Sequence, residues 1–250
     1  MAGHSHWATI KRAKGAADAK RGQLFSKLSR AIIVAARAGG GDPETNLKLR
    51  YAIEKAKEAS MPKENIERAI KKGTGESSDA QFEEIMYEGY GPGGVAIMVE
   101  VATDNRNRTA SELRKIFEKG GGKMGAAGSV AFQFERKGLF VFDALATDED
   151  RLMEVALEAG ADDVRRSGNN FEVTCEPTLF SKVREAFAAA GMTPANAELI
   201  HLAKAPMDVD AETARKVLKL METLDEHDDV QNVYSTLNIT PELAAAAASP

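Results

Sequence analysis

Cysteine occurs once in 250 residues, at Cys175. That excludes an internal disulfide and any metal site built from several thiolates, and it fits a reducing compartment. Eight prolines are too few for a proline-rich disordered chain. No apolar run approaches the roughly 20 residues that span a bilayer, and the first residues lack the apolar segment of a secretion signal. The acid-poor, arginine-bearing start shares a trait with organelle transit peptides, but Gly3, Gly15 and Gly22 interrupt the helix such a peptide forms. The expectation is a cytoplasmic protein without a membrane partner.

Catalytic motifs are equally scarce. There is no Gly-x-Ser-x-Gly and no His-Glu-x-x-His. His4 and His6 have chelating spacing but no further ligand nearby, and His227 sits in "DEHDD", which reads as a solvated acidic turn rather than a cation site. Cys175 falls in an expected strand beside Val173 and Thr174, a place for a core thiol rather than a nucleophile. "YEGYGPGGVA" precedes a strand, the wrong order for a phosphate-cradling loop. "GGGKMGAAGS" has Met124 where a magnesium-binding hydroxyl would stand. The expectation is no catalytic residue, no metal, no cofactor and no small-molecule substrate. Both glycine stretches read as turns, with the alternative that the second, with Lys123, brings backbone close to a phosphate or RNA.

What is present is charge polarity. The first 72 residues hold 16 Lys and Arg against 7 Asp and Glu, a net of +9, and the rest hold 17 against 31, a net of −14. A basic module for a polyanion joined to an acidic body fits this division. Lys11, Arg12, Lys14, Lys20 and Arg21 form a dense, glycine-broken arm with Trp7 just ahead of it. Lys and Arg on phosphates release counterions and bind without sequence preference. Trp7 either stacks on a base or tucks onto the following helices.

Residues 1–22 are therefore expected to be a flexible basic arm and 23–78 a helical domain. Leu24, Leu28, Ile32 and Ala35 recur at helical spacing, Lys27, Arg30 and Arg37 lie on another stripe, and Gly39 to Gly41 end the helix. A second helix starts at Asp42-Pro43 or Asn46, and a third follows Pro62, a junction that also permits a helix-turn-helix. After the polar stretch Thr74 to Gln81, "GVAIMVEVA" reads as a strand. "TASE" reads as a capping box opening a helix at Ala110, and "SVAFQF" as the next strand. Arg106 and Arg108 then project from a loop at a helix start, as an anion site or as partners of Asp104 and Glu100.

Residues 136–204 give β-α-β-β-α-β, a ferredoxin-like unit. It interrupts a discontinuous α/β domain of 79–135 plus 205–238, and 239–250 reads as a frayed tail. The fold class is α+β with three domains: an N-terminal three-helix domain, then two α/β-sandwich domains, one ferredoxin-like and inserted in the other.

"MAGHSHWATIKRAKGAADAKRGQLFSKL", "AGGGDPETN", "YEGYGPGGVA", "DNRNRT" and "GSVAFQF" resemble, in order and spacing, the YebC/PmpR family of probable transcriptional regulators. A mitochondrial translational activator of cytochrome c oxidase subunit I is a relative. The resemblance spans Met1 to about Tyr234, with His6 where many members carry lysine and Arg12 where many carry histidine. It implies a helical N-terminal domain, two α/β domains, and DNA-binding transcriptional regulation in the cytoplasm. The alternatives are a ribosome- or RNA-associated translation factor and a protein-interaction adaptor. The expected partner is promoter DNA or ribosomal RNA, with the ribosome a further candidate, and the expected state is monomeric. Contacts are assigned to the five arm residues, to Lys27, Arg30 and Arg37, and to Arg106, Arg108 and Lys123.

Overall fold

The computed structural model describes residues 18–75, 82–240 and 243, and for 18–20 the backbone alone. Lys11, Arg12, Lys14, Trp7, His4 and His6 therefore lie outside the described residues, as do the side chain of Lys20, residues 76–81 and most of the expected tail. Ile239, assigned to that tail, is buried at 1% exposure. The described chain forms two compact units. One holds 18–131 and Glu212–Val233, the other Phe132–Ala211 and the stretch from Tyr234.

The first unit begins with three helices: α1 (Asp18–Gly39), α2 (Leu47–Glu58) and α3 (Lys63–Gly73). Helix α1 starts before residue 23, so Arg21 and Gly22 belong to it rather than to a flexible arm. Its buried run Ile32 to Ala36 packs against Leu49, Ile53, Ile66 and Ala69, an apolar core that needs no polar partners. Asn46, and not Asp42, caps α2. Its Oδ1 accepts from the Leu49 N–H, and its Nδ2 donates to the carbonyls of Ala35 and Gly40 at 2.8 Å, tying down the carbonyls that end α1.

A four-stranded sheet follows, built from β1 (Glu83–Tyr90), β2 (Ala96–Thr103), β3 (Lys123–Met124) and β8 (Val230–Ser235), in the order β3-β1-β2-β8. Two helices accompany it, α4 (Arg106–Lys119) and α7 (Ala211–Asp225). Strand β1 is absent from the sequence reading because its polar residues break the apolar alternation. Glu88 and Gly89 are nonetheless both buried, Gly89 because the Phe117 ring of α4 fills the place of a β-carbon. The expected strand "SVAFQF" is instead a loop followed by one turn of 3-10 helix, and the next strand starts at Phe134. The loop stays out of a ladder because the Glu88 carboxylate takes its N–H groups: Gly128 at 2.7 Å, Val130 at 2.6 Å and Ala131 at 2.8 Å.

The second unit contains β4 (Phe134–Asp143), α5 (Glu149–Ala159), β5 (Asp163–Ser167), β6 (Asn170–Cys175), α6 (Phe180–Ala189) and β7 (Asn196–Ala203). The strand pairs are antiparallel and the order is β5-β6-β4-β7, the ferredoxin-like arrangement. Phe140 stacks on Phe180 at 4.7 Å and meets Phe187 edge-on at 5.2 Å. Cys175 is fully buried in this core, and burial pushes its thiol up to about 11. The chain is thus α+β, with an N-terminal helical region and then two α/β parts, the second inserted in the first.

Candidate nucleic-acid interface

The cations assigned to phosphate contact divide sharply by environment. Lys27 on α1 is buried, and its Nζ donates to the Asp225 carbonyl with the Asp225 carboxylate 3.7 Å away. Arg30, one turn on, donates to the Asp228 carbonyl, and its Nη2 stands 3.5 Å from Asp229 Oδ1. Gln23 Nε2 donates to the Glu226 carbonyl. These three side chains satisfy carbonyls at and beyond the C-terminal end of α7, where cations and donors are favoured by the helix dipole. Lys27 and Arg30, expected to face phosphate, thus each make contacts within the fold, to carbonyls and carboxylates at and beyond the end of α7.

Arg108, though exposed, is also paired with acids of the fold. Helix α4 starts at Arg106, four residues before the expected start, because Asn105 and not Thr109 is the cap: Asn105 Oδ1 accepts from the Arg108 N–H at 3.1 Å. Thr109 is fully buried inside the helix. This places Arg108 Nη2 2.8 Å from Asp229 Oδ2 and 3.1 Å from Asp104 Oδ1. The pairing alternative holds for Arg108 through Asp104, and Glu100 accepts from Asn232 at 2.8 Å.

Asp229 is the residue sequence reasoning missed. It is 2% exposed, and its Oδ2 also accepts from the hydroxyls of Thr109 at 2.6 Å and Thr103 at 3.1 Å. Its carbonyl accepts from the Ala102 N–H, and its own N–H donates to His227 Nδ1. Burial alone would raise its carboxyl pKa, but the Thr109 and Arg108 hydrogen bonds and the charges of Arg108 and Arg30 outweigh that and hold it below the ordinary value. His227 directs Nε2 to Glu112 at 2.9 Å, which with the Nδ1 bond fixes the tautomer protonated on Nε2. "DEHDD" is therefore a joint between helices and sheet rather than a wholly solvated turn. Its main partners lie more than a hundred residues upstream, so local pattern carries no signal for it.

The remaining predicted cations are exposed: Arg21 and Arg37 on α1, Arg106 at the start of α4, and Lys123 on β3. No side-chain ion-pair partner holds any of these four among the described residues. Exposed Lys57, Arg68, Lys71, Arg114, Lys115 and Lys119 add to them and were not singled out from sequence. Lys123 lies in a short strand, directly opposite Tyr90. Among the described residues no group of three His, Cys, Asp or Glu side chains is placed to hold a metal ion. No helix there is long and apolar enough to cross a membrane.

Residues 5–76 match the family description "TACO1/YebC protein N-terminal domain", and residues 82–237 match "TACO1/YebC second and third domain". The chain belongs to the TACO1/YebC family. A TACO1/YebC relative from Rubrobacter xylanophilus is 56% identical over 249 residues, covering 99% of this chain and all of its own. One from Treponema pallidum is 54% identical over 243 residues, covering 97% and 99%. Both carry the name "Probable transcriptional regulatory protein". The crystal structure of a conserved hypothetical protein from Aquifex aeolicus superposes with a TM-score of 0.82 at 50% identity, covering 88% of this chain and 91% of that one. The TACO1/YebC domain descriptions meet between residues 76 and 82, where sequence reading placed the polar linker.

Proposed function

We propose that this TACO1/YebC chain is a non-enzymatic, cytoplasmic regulatory protein that acts as a monomer and binds nucleic acid through its basic N-terminal module. The observation that carries the reading is the +9 charge of the first 72 residues, a density suited to a polyanion. The contact set is the arm (Lys11, Arg12, Lys14, Lys20, Arg21) with Arg37, Arg106 and Lys123. The names borne by the relatives favour promoter DNA as the target. A second reading, RNA or the ribosome, is favoured by the exposed Tyr90 ring beside Lys123, since a paired base in a duplex offers no free face to an aromatic plate.

Crosslinking by ultraviolet light in living cells, with both attached RNA and attached DNA sequenced, tests the two. Reads at discrete promoters establish the first, and reads concentrated on ribosomal RNA establish the second. An absence of either above background overturns nucleic-acid binding and leaves the protein-interaction adaptor.

A further inference from the structure

We propose that Tyr90 and Lys123, at the free end of the first sheet, form a stacking site for one unpaired base of a single-stranded nucleic acid. The proposal rests on the nucleic-acid reading above and adds to it a place and a mode of contact.

The two residues are directly opposite in the antiparallel pairing of β1 with β3. Opposed residues point to the same face, with β-carbons about 5 Å apart. The face follows from the neighbours. A β-carbon on Gly89 would stand 2.7 Å from the Phe117 ring, so Gly89 faces α4 and Tyr90 faces away from it. On that side Glu88 is covered by the loop whose N–H groups it binds, and Ala96, opposite Tyr90 on β2, is fully buried. Tyr90 is 37% exposed. Its hydroxyl donates to the Ser129 carbonyl at 2.8 Å, which satisfies the polar end and holds the ring in one orientation. A tethered ring loses little rotamer freedom on binding, so a base stacked on it keeps most of the stacking energy.

The surrounding backbone leaves room for a sugar-phosphate chain. Gly93, Gly94 and Gly121 have φ of 70°, 79° and 75°, a left-handed region where side chains are disfavoured, and all three are exposed. The two turns are neighbours: a β-carbon on Gly121 would meet Pro92 at 3.7 Å. Lys123, beside the ring, supplies phosphate charge, with exposed Lys119 four residues upstream. Glu88, the acid closest in sequence on β1, is spent on three backbone donors, and Glu118 is the exposed acid nearest along α4.

Fluorescence anisotropy of the full-length protein with a labelled ten-residue uridine strand, a matching thymidine strand and a duplex of equal length tests the site. Tyr90→Ala is expected to weaken single-strand binding by about five- to a hundred-fold, the measured range for losing one stacked base. Duplex binding through the arm stays unchanged, and Tyr90→Phe, which keeps the ring, stays within a few-fold of wild type. Lys123→Ala is expected to lower the salt slope by about one. Either sugar satisfies a stacking site, and the ratio of the two affinities identifies the polymer.

Wild-type single-strand affinity in Tyr90→Ala overturns the proposal while the broader reading stands, whereas a wild-type protein that binds neither strand nor duplex overturns both. Because Tyr90→Ala also removes a tether, a thiouridine strand crosslinked to wild-type protein and mapped by mass spectrometry gives an independent answer. An adduct on the β1 peptide containing Tyr90 supports the site, and adducts confined to the basic arm overturn it.

Discussion

Arg108 and Asp229 are 121 positions apart in sequence and 2.8 Å apart in space. The carboxylate collects donors from β2, from α4 and from α1, so one side chain holds three elements. Asp229→Ala leaves Thr103, Thr109 and Arg30 facing a hole and is expected to cost about 3–5 kcal/mol, the usual loss when one partner of a buried charged set is removed. Arg108→Ala should cost about 1–2 kcal/mol, because its side chain is 43% exposed and the other donors persist. Guanidinium unfolding midpoints check both. The folded carboxyl lies below its ordinary 3.8, so the stabilisation is complete above that value and is lost as pH falls through the folded-state value. Asp229→Asn is expected to flatten this acid limb.

Glu88 does for the loop at 125–131 what a bound anion does for a backbone nest. Burial would raise its carboxyl pKa, but the N–H groups of Val130, Gly128 and Ala131 hold it below 4.5. Glu88→Gln places an amide N–H₂ among donors, and about 1–3 kcal/mol should be lost. Faster hydrogen exchange at Gly128, Val130 and Ala131, with the rest of the sheet still protected, is the expected signature.

Two glycines on the helices should answer the same substitution with opposite signs. Gly22 lies exposed within α1 and a β-carbon there meets nothing within 4 Å, so Gly22→Ala should add about 0.5–1 kcal/mol through helix propensity. Gly73 ends α3 where a β-carbon would fall 2.5 Å from the Ile33 carbonyl oxygen and 2.7 Å from the Ala36 side chain. Gly73→Ala should therefore destabilise by about 1–3 kcal/mol through overpacking. Thermal melts of the two variants decide it.

Lys27 and Arg37 sit ten residues apart on α1 with different duties. Lys27→Ala should lower the unfolding midpoint. Arg37→Ala should leave stability within about 0.5 kcal/mol of wild type and reduce the salt slope of nucleic-acid binding by about one. Equal effects of the two on binding at matched stability would show that the exposed and internal cations had been wrongly separated.

The helices and the inserted unit were legible because their signals are local. Apolar spacing, glycine stops and β-branched runs each act within a dozen residues, and the β-α-β-β-α-β order of 136–204 is written in them. What failed was a set of features whose partners are distant, although β8, far from its partner β2, was legible from its own apolar residues. Strand β1 reads as polar because Glu88 is paid for by a loop forty residues on. Thr109 reads as a cap because nothing nearby shows that Asp229 will bury its hydroxyl. Lys27 and Arg30 read as free charge because the carbonyls they bind follow some two hundred residues later. Sequence pattern measures how a side chain meets solvent, and these side chains meet one another.

The insertion of one unit into another sets an order of events for the chain as it is made. Strand β8, which lies against β2, and the acid that neutralises Arg30 and Arg108 leave the ribosome only after the whole ferredoxin-like segment has been synthesised. At about 5–20 residues per second, the 121 residues between Arg108 and Asp229 take on the order of ten seconds. During that interval the nascent chain carries an open strand edge, Arg30 lacks Asp229, and Arg108 has only the acids of its own helix start, Asp104 and Glu112, beside it. Folding of the N-terminal part is thereby coupled to completion of the polypeptide, and a chain interrupted before residue 229 lacks the side chain that locks α1, β2 and α4 together.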